Sequence, residues 1–143
     1  MSDVTIETLL GGRALIGHPV KTEMDLYELS RVGIPKKSLL HLLAALNLSL
    51  RAVSELLNVT ERTIQRKQDQ ELLDRATTEQ VLQIAEVFSR GNAVFGSTKA
   101  FQLWMDLENT ALGGKRPLEL LASRYGAQLV LDVIGRIEHG VIS

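Results

Sequence analysis

The chain has 143 residues, of which 45% are hydrophobic and 23% charged, and a net charge of −1. This is the balance of a soluble globular protein with one ordinary domain or two very small ones, and it excludes a disordered chain. Cysteine is absent, which rules out a disulfide framework and a thiolate metal site and points to a reducing, cytoplasmic setting.

Aromatic residues are only 4% while leucine and alanine are frequent, a bias toward helices packed on helices, so an all-α fold is expected. No segment approaches the roughly 18–20 apolar residues that span a bilayer. The opening "MSDVTIETLL" lacks the basic-then-apolar order of a signal peptide, so no membrane partner is expected. Charge is unevenly spread. Residues 31–75 carry eight basic and five acidic side chains, whereas residues 1–30 carry two and five, and residues 76–143 six and seven. Only the middle third leans positive, the sign an anionic partner requires.

In chain order, "LLGGRALIGHP" (9–19) reads as turns or a short extended piece because three glycines and a proline interrupt its apolar residues. Thr22 with Asp25 forms a capping-box pattern opening a helix that Gly33 closes. Pro35 favours the start of the next helix, whose Leu39, Leu42, Leu43 and Leu46 recur at helical spacing up to Asn47. Ser49 then caps "LRAVSELL" and Thr60 caps "ERTIQRKQDQELL". Further on, Thr77 with Gln80 opens a helix that Gly91 ends, and Ser97 precedes "TKAFQLWMDLEN", with Phe101, Trp104 and Met105 on one face. "TALGGKRP" is a loop, Pro117 starts "PLELLASRYG", and "AQLVLDVIGRIEH" runs to Gly140, interrupted at Gly135. The division that follows is an N-terminal segment 1–34 that is a candidate for oligomerisation, a unit at 35–76 and a helical unit at 77–143.

The stretch from Leu50 to Lys67 fits a helix-turn-helix on physical grounds. Ser54 is the small residue needed where two helices cross closely. Asn58 tolerates the left-handed backbone of a sharp turn, and Val53, Leu57, Val59 and Ile64 supply the core that fixes the angle. Thr60 caps the second helix, leaving Thr60, Glu61, Arg62, Thr63, Gln65, Arg66 and Lys67 as the candidate DNA-binding set. Arg and Gln can pair with guanine and adenine edges, and Thr suits phosphates. Glu61 sits awkwardly among them unless it accepts from a cytosine amino group or orients Arg62. One such helix with a modest positive excess binds weakly, so a homodimer or higher assembly on adjacent half-sites is expected. The leucines of 35–46 or the apolar piece 9–16 can supply that contact, and either can equally be intramolecular core.

No catalytic pattern emerges, and the chain does not read as an enzyme. His18, His41 and His139 are far apart and show no metal-ligand spacing; His41 reads as a core or interface residue. "LGGKRP" lacks the strand and Lys-Ser/Thr ending of a phosphate loop. Neither metal nor cofactor is implied.

The "FGS" before a helix carrying Trp104, the "N-x-x-LGG-x-x-P-LELL" segment from Asn109 to Leu121 and the closing "GRIEHGV" resemble the C-terminal domain of the Xre/MbcA/ParS family of antitoxins. The helix-turn-helix fits the same architecture, so the resemblance covers residues 35–143. It implies a helix-turn-helix bundle followed by a small helical toxin-binding domain. It further implies a type II antitoxin whose partner is a RES-type, NAD-using toxin, blocked by the antitoxin's C-terminal segment, with the operon repressed through operator DNA. Arg136, His139, Gly140, Val141, Ile142 and Ser143 are the matching toxin-binding candidates, the short apolar tip ending in a carboxylate suited to a phosphate-binding pocket. Trp104, Arg116 and Arg124 are weaker candidates, the tryptophan being the natural anchor of the C-terminal core. The rival expectation is a stand-alone transcription regulator whose C-terminal domain dimerises or senses a ligand.

Overall fold

A computed structural model describes residues 4–140. They form ten α-helices: α1 (Ile6–Leu9), α2 (Arg13–Ile16), α3 (Glu23–Val32), α4 (Lys36–Leu46), α5 (Leu50–Leu57), α6 (Glu61–Gln65), α7 (Arg75–Phe95), α8 (Thr98–Met105), α9 (Pro117–Leu120) and α10 (Arg124–Glu138). Among the described residues there is no strand, only isolated bridges at Pro35–Leu72 and Asn109–Lys115. No single helix in that range is long and apolar enough to cross a membrane. The fold is all-α, with the helix-turn-helix of α5 and α6 N-terminal to a second helical region, α8 to α10.

Helix α7 is the spine. Its 21 residues bury Val81, Leu82, Ile84, Ala85, Val87 and Phe88, which point to more than one side of the helix. A helix apolar around most of its girth has to be surrounded. Accordingly α1, α3, α5, α8 and α10 all pack on it. Gly91, expected to end this helix, lies buried inside it, and the Phe101 ring of α8 sits where a Cβ would be. The glycine serves close packing, and the helix stops at Gly96, which takes the left-handed φ of 81°. Phe101 stands edge-on to Phe88 with centroids 5.2 Å apart and stacks on half-buried Trp104 at 5.8 Å, an aromatic group that anchors α8.

Other boundaries also depart from local expectation. Helix α7 starts earlier than the Thr77–Gln80 pair implies, because the Asp74 carboxylate accepts from the Thr77 amide at 2.8 Å and caps it. The segment 9–19 leaves the end of α1 by a turn at Leu10–Gly11 and contains the single-turn helix α2, not an extended piece. Its Leu9, Leu10 and Ile16 are buried, as are Leu39, Leu42, Leu43 and Leu46 of α4. Both leucine sets proposed as oligomer contacts are therefore spent on intramolecular core. His41 is exposed on α4, its Nδ1 3.1 Å from the Leu9 carbonyl oxygen, so it is not a core residue. Helix α10 passes through Gly135 without a break, since one glycine in a packed helix costs only about 1 kcal/mol.

At the α9–α10 corner Gly126 is obligatory, for a Cβ there would run into the Leu120 carbonyl oxygen. Gly126→Ala should lower unfolding free energy by about 1–3 kcal/mol in urea titrations, as overpacking against backbone does. Asp74→Ala should cost about 1 kcal/mol at neutral pH. The Thr77 amide, and then its hydroxyl, hold the Asp74 carboxyl below its ordinary value of 3.8. A depressed folded pKa contributes stability above the unfolded value and loses it as pH falls through the folded one. The gap between parent and Asp74→Ala should therefore close in melts below about pH 4.

Candidate nucleic-acid interface and partner surface

Helices α5 and α6 meet at a turn made by Asn58, which adopts left-handed φ/ψ of 59°/34°. Its amide donates to the Glu55 carbonyl and the Val59 amide donates to the Ser54 carbonyl at 3.1 Å, closing the C-terminus of α5. Ser54 is buried where the helices approach, its hydroxyl donating to the Arg51 carbonyl at 2.8 Å. Val53, Leu57 and Ile64 are buried and Val59 is half-buried. Thr60 Oγ1 accepts from the Thr63 amide at 3.1 Å and caps α6. The turn follows from a small residue, an αL-tolerant residue and a capping hydroxyl at the right offsets.

On α6 the side chains of Arg62, Thr63, Gln65 and Arg66 are exposed, with Thr60 at the cap also exposed and Glu61 half-buried. Thr63 Oγ1 lies 2.8 Å from Thr60 Oγ1, so both hydroxyls belong to one local hydrogen bond. Lys67 differs from the rest: it is half-buried and its ammonium pairs with Glu71 at 3.4 Å. Glu71 is held below its ordinary pKa, first by the Gln68 amide and then by Lys67. Its charge offsets part of the positive surface here.

The helix expected over "ERTIQRKQDQELL" stops at Gln65. Beyond it the chain is captured by the start of α4. The Lys37 amide donates to the Asp69 carbonyl and the Lys36 amide to the Glu71 carbonyl, each at 2.9 Å, and the Leu73 amide donates to the Ile34 carbonyl at 2.8 Å. Burial of Leu73 secures the segment. Lys36 adds a feature invisible at sequence level: its ammonium donates to the Lys67 carbonyl at 2.8 Å and the Gln65 carbonyl at 3.4 Å, closing the C-terminal end of α6. Partners 29 and 31 residues apart leave no periodic trace.

Along α10, that helix and the turn Thr110–Leu112 border a groove of about 580 Å³. Leu129, Asp132, Val133, Gly135, Arg136 and His139 line it. Leu129 is 52% exposed, an apolar side chain left uncovered at the rim. Arg136 is exposed on the last turn, His139 caps α10 and Gly140 follows with φ 79°. Val141, Ile142 and Ser143 lie outside the described residues. Of the weaker candidates, Trp104 is in the aromatic group and Arg116 pairs with Glu119 at 3.8 Å. Arg124 stands at the opposite end of α10 from Arg136, so one helix separates them.

The family model for the antitoxin Xre-like helix-turn-helix domain matches residues 25–86, and that for the antitoxin Xre/MbcA/ParS C-terminal toxin-binding domain matches residues 90–140. The chain belongs to the Xre/MbcA/ParS antitoxin family. It is also similar to the curated "Antitoxin Xre" of Yersinia enterocolitica serotype O:8 / biotype 1B (strain NCTC 13174 / 8081), 36% identical over 67 residues. That match covers 46% of this chain and 45% of the relative, so the chain aligns with less than half of the relative's length.

The turn makes a sharp prediction. Asn58→Gly should leave the melting temperature within a few degrees of the parent, because glycine accepts positive φ freely, whereas Asn58→Val should cost at least about 1–2 kcal/mol. Equal melting temperatures for the two variants would mean that the left-handed turn is not what holds α5 and α6 together.

Proposed function

We propose that the chain is the antitoxin of a type II toxin–antitoxin pair that both holds its toxin and represses its own operon. The observation that carries the reading is a spatial separation on one helix. The Asn58 side chain touches the carbonyl of Ala122 just before α10, while the open groove runs along α10 from Leu129 to His139. At about 1.5 Å per residue the groove begins about 8 Å along α10, and Arg136 and His139, which lead into the C-terminal segment, lie about 18–22 Å from Arg124, so a duplex at α6 and a protein held at that end need not collide.

In this reading α6 enters the major groove of operator DNA. Arg62, Gln65 and Arg66 read base edges, and Thr60 and Thr63 approach phosphates. A dimer or higher assembly places two such helices on half-sites about 34–36 Å apart. The toxin is of RES type and uses NAD. Arg136, His139 and Gly140 bring the C-terminal segment, Val141 to Ser143, to its nucleotide cleft and occlude it. Support comes from the family, from the exposed cations on α6 and from the uncovered apolar rim at Leu129.

Two variants test the two halves separately. Arg62→Ala with Arg66→Ala should weaken binding to the DNA upstream of its own gene at least about tenfold, since a bidentate base contact is worth about 1–3 kcal/mol. The same variant should still protect cells from the toxin. Deleting Val141 to Ser143 should do the reverse, abolishing growth protection and sparing DNA retardation. Full protection by the truncated chain would refute occlusion.

A further inference from the structure

The start of α10 is fastened to the helix-turn-helix. The Ala122 carbonyl, one residue before the Ser123 cap, accepts from Asn58 Nδ2 and from Gln80 Nε2, each at 3.2 Å. The same Gln80 nitrogen donates to the Leu56 carbonyl in the last turn of α5, also at 3.2 Å. Through these bonds the first residues of α10 sit beside the turn that leads into α6. The Gly126 contact with Leu120 fixes the corner from behind.

Two side chains at this corner lack a structural task. Arg124 is exposed and has no carboxylate in ion-pair range among the described residues, whereas Arg75, Arg90 and Arg116 are paired with Glu79, Glu138 and Glu119. Tyr125 is 85% exposed, more than any other large hydrophobic residue of the described chain. Arg124 is also the first residue of a long helix, the positive end of its dipole, where a cation is disfavoured. Such a cation becomes favourable when an anion is held against it. The backbone amides of Tyr125 and Gly126 do not supply that site, because Ser123 Oγ accepts from both, at 3.1 and 3.3 Å.

We infer that Arg124 and Tyr125 form a second DNA-contacting element, gripping backbone phosphates that flank the base pairs facing α6. This rests on the DNA-binding reading above. Continuity decides the partner: the element adjoins the helix-turn-helix turn through Asn58 and Ala122, whereas the groove assigned to the toxin begins at Leu129, about 8 Å along α10, and runs to Arg136 and His139, about 18–22 Å from Arg124. The guanidinium supplies the charge and the phenol hydroxyl a neutral donor, the two chemistries phosphate contacts use. The toxin-binding half then contributes to affinity for any sequence and to discrimination among none.

The test uses the full chain and anisotropy titrations of duplexes of about 40 base pairs, one from upstream of its own gene and one scrambled, between about 50 and 200 mM salt. Arg124→Ala should weaken binding to both duplexes by a similar factor, about three- to tenfold at low salt, and reduce the slope of log affinity against log salt by about one. Arg124→Lys should restore the slope, and Arg116→Ala, equal in charge change but paired with Glu119, should not alter it. Adding Tyr125→Phe should lower affinity about twofold further; no further change would remove Tyr125 from the element. A parental slope for Arg124→Ala overturns the inference, as does a loss confined to toxin binding, whatever Arg62→Ala with Arg66→Ala does. Parental binding by that latter pair overturns the recognition-helix reading instead.

Discussion

The structure depends on the burial of α7 from several sides at once. A surface helix buries one stripe; this one buries residues such as Val81, Leu82, Ile84 and Val87, which cannot share a single stripe. The solution is a set of short helices wrapped around a long one. None of α1, α2, α6 or α9 exceeds five residues, too short to hold a helical turn unaided in water, so each exists because it caps or covers something else. Phe101 lying over Gly91 shows how close the approach must be.

This arrangement packs the two matched regions around one continuous core. Helix α7 belongs to both: its N-terminal end supplies Gln80 to the helix-turn-helix, and its C-terminal end receives the aromatic side chains of α8. Gln102 of α8 donates to the Leu46 carbonyl at the end of α4, a second bond across the same divide. Regions as short as residues 25–86 and 90–140 are marginal by themselves, since small domains bury a smaller share of their surface. Sharing a spine meets that constraint and sets the distance between the two faces.

Electrostatics are local and not global. The chain is nearly neutral, and several of its surface arginines are tied to glutamates one helical turn away, pairs worth about 0.2–1 kcal/mol. Among the described residues, Arg62 and Arg66 of α6 and Arg124 at the start of α10 are exposed cations without such partners, as are others such as Arg51 and Arg136. A basic face assembled from two distant parts of the chain attracts a polyanion without making the whole molecule basic.

Signals spanning one or two turns were readable directly. The Ser54–Asn58–Thr60 pattern specifies the turn because each residue answers a local steric or hydrogen-bonding need. The Thr22–Asp25 box, the Gly33 stop and the Ser97 cap are equally local. The motifs from Val94 onward were enough to recognise the family. Tertiary structure decided what no short window contains. It ended α6 at Gln65, because carbonyls 69 and 71 are claimed by the start of α4. It carried α7 through Gly91, because an aromatic ring fills the space the missing side chain leaves. It also brought Ala122 to Asn58, 64 positions away, and so placed Arg124 beside the turn. Periodicity reports which face of a helix is apolar; which neighbour covers that face, and which carbonyl a distant amide finds, is settled only when the chain closes on itself.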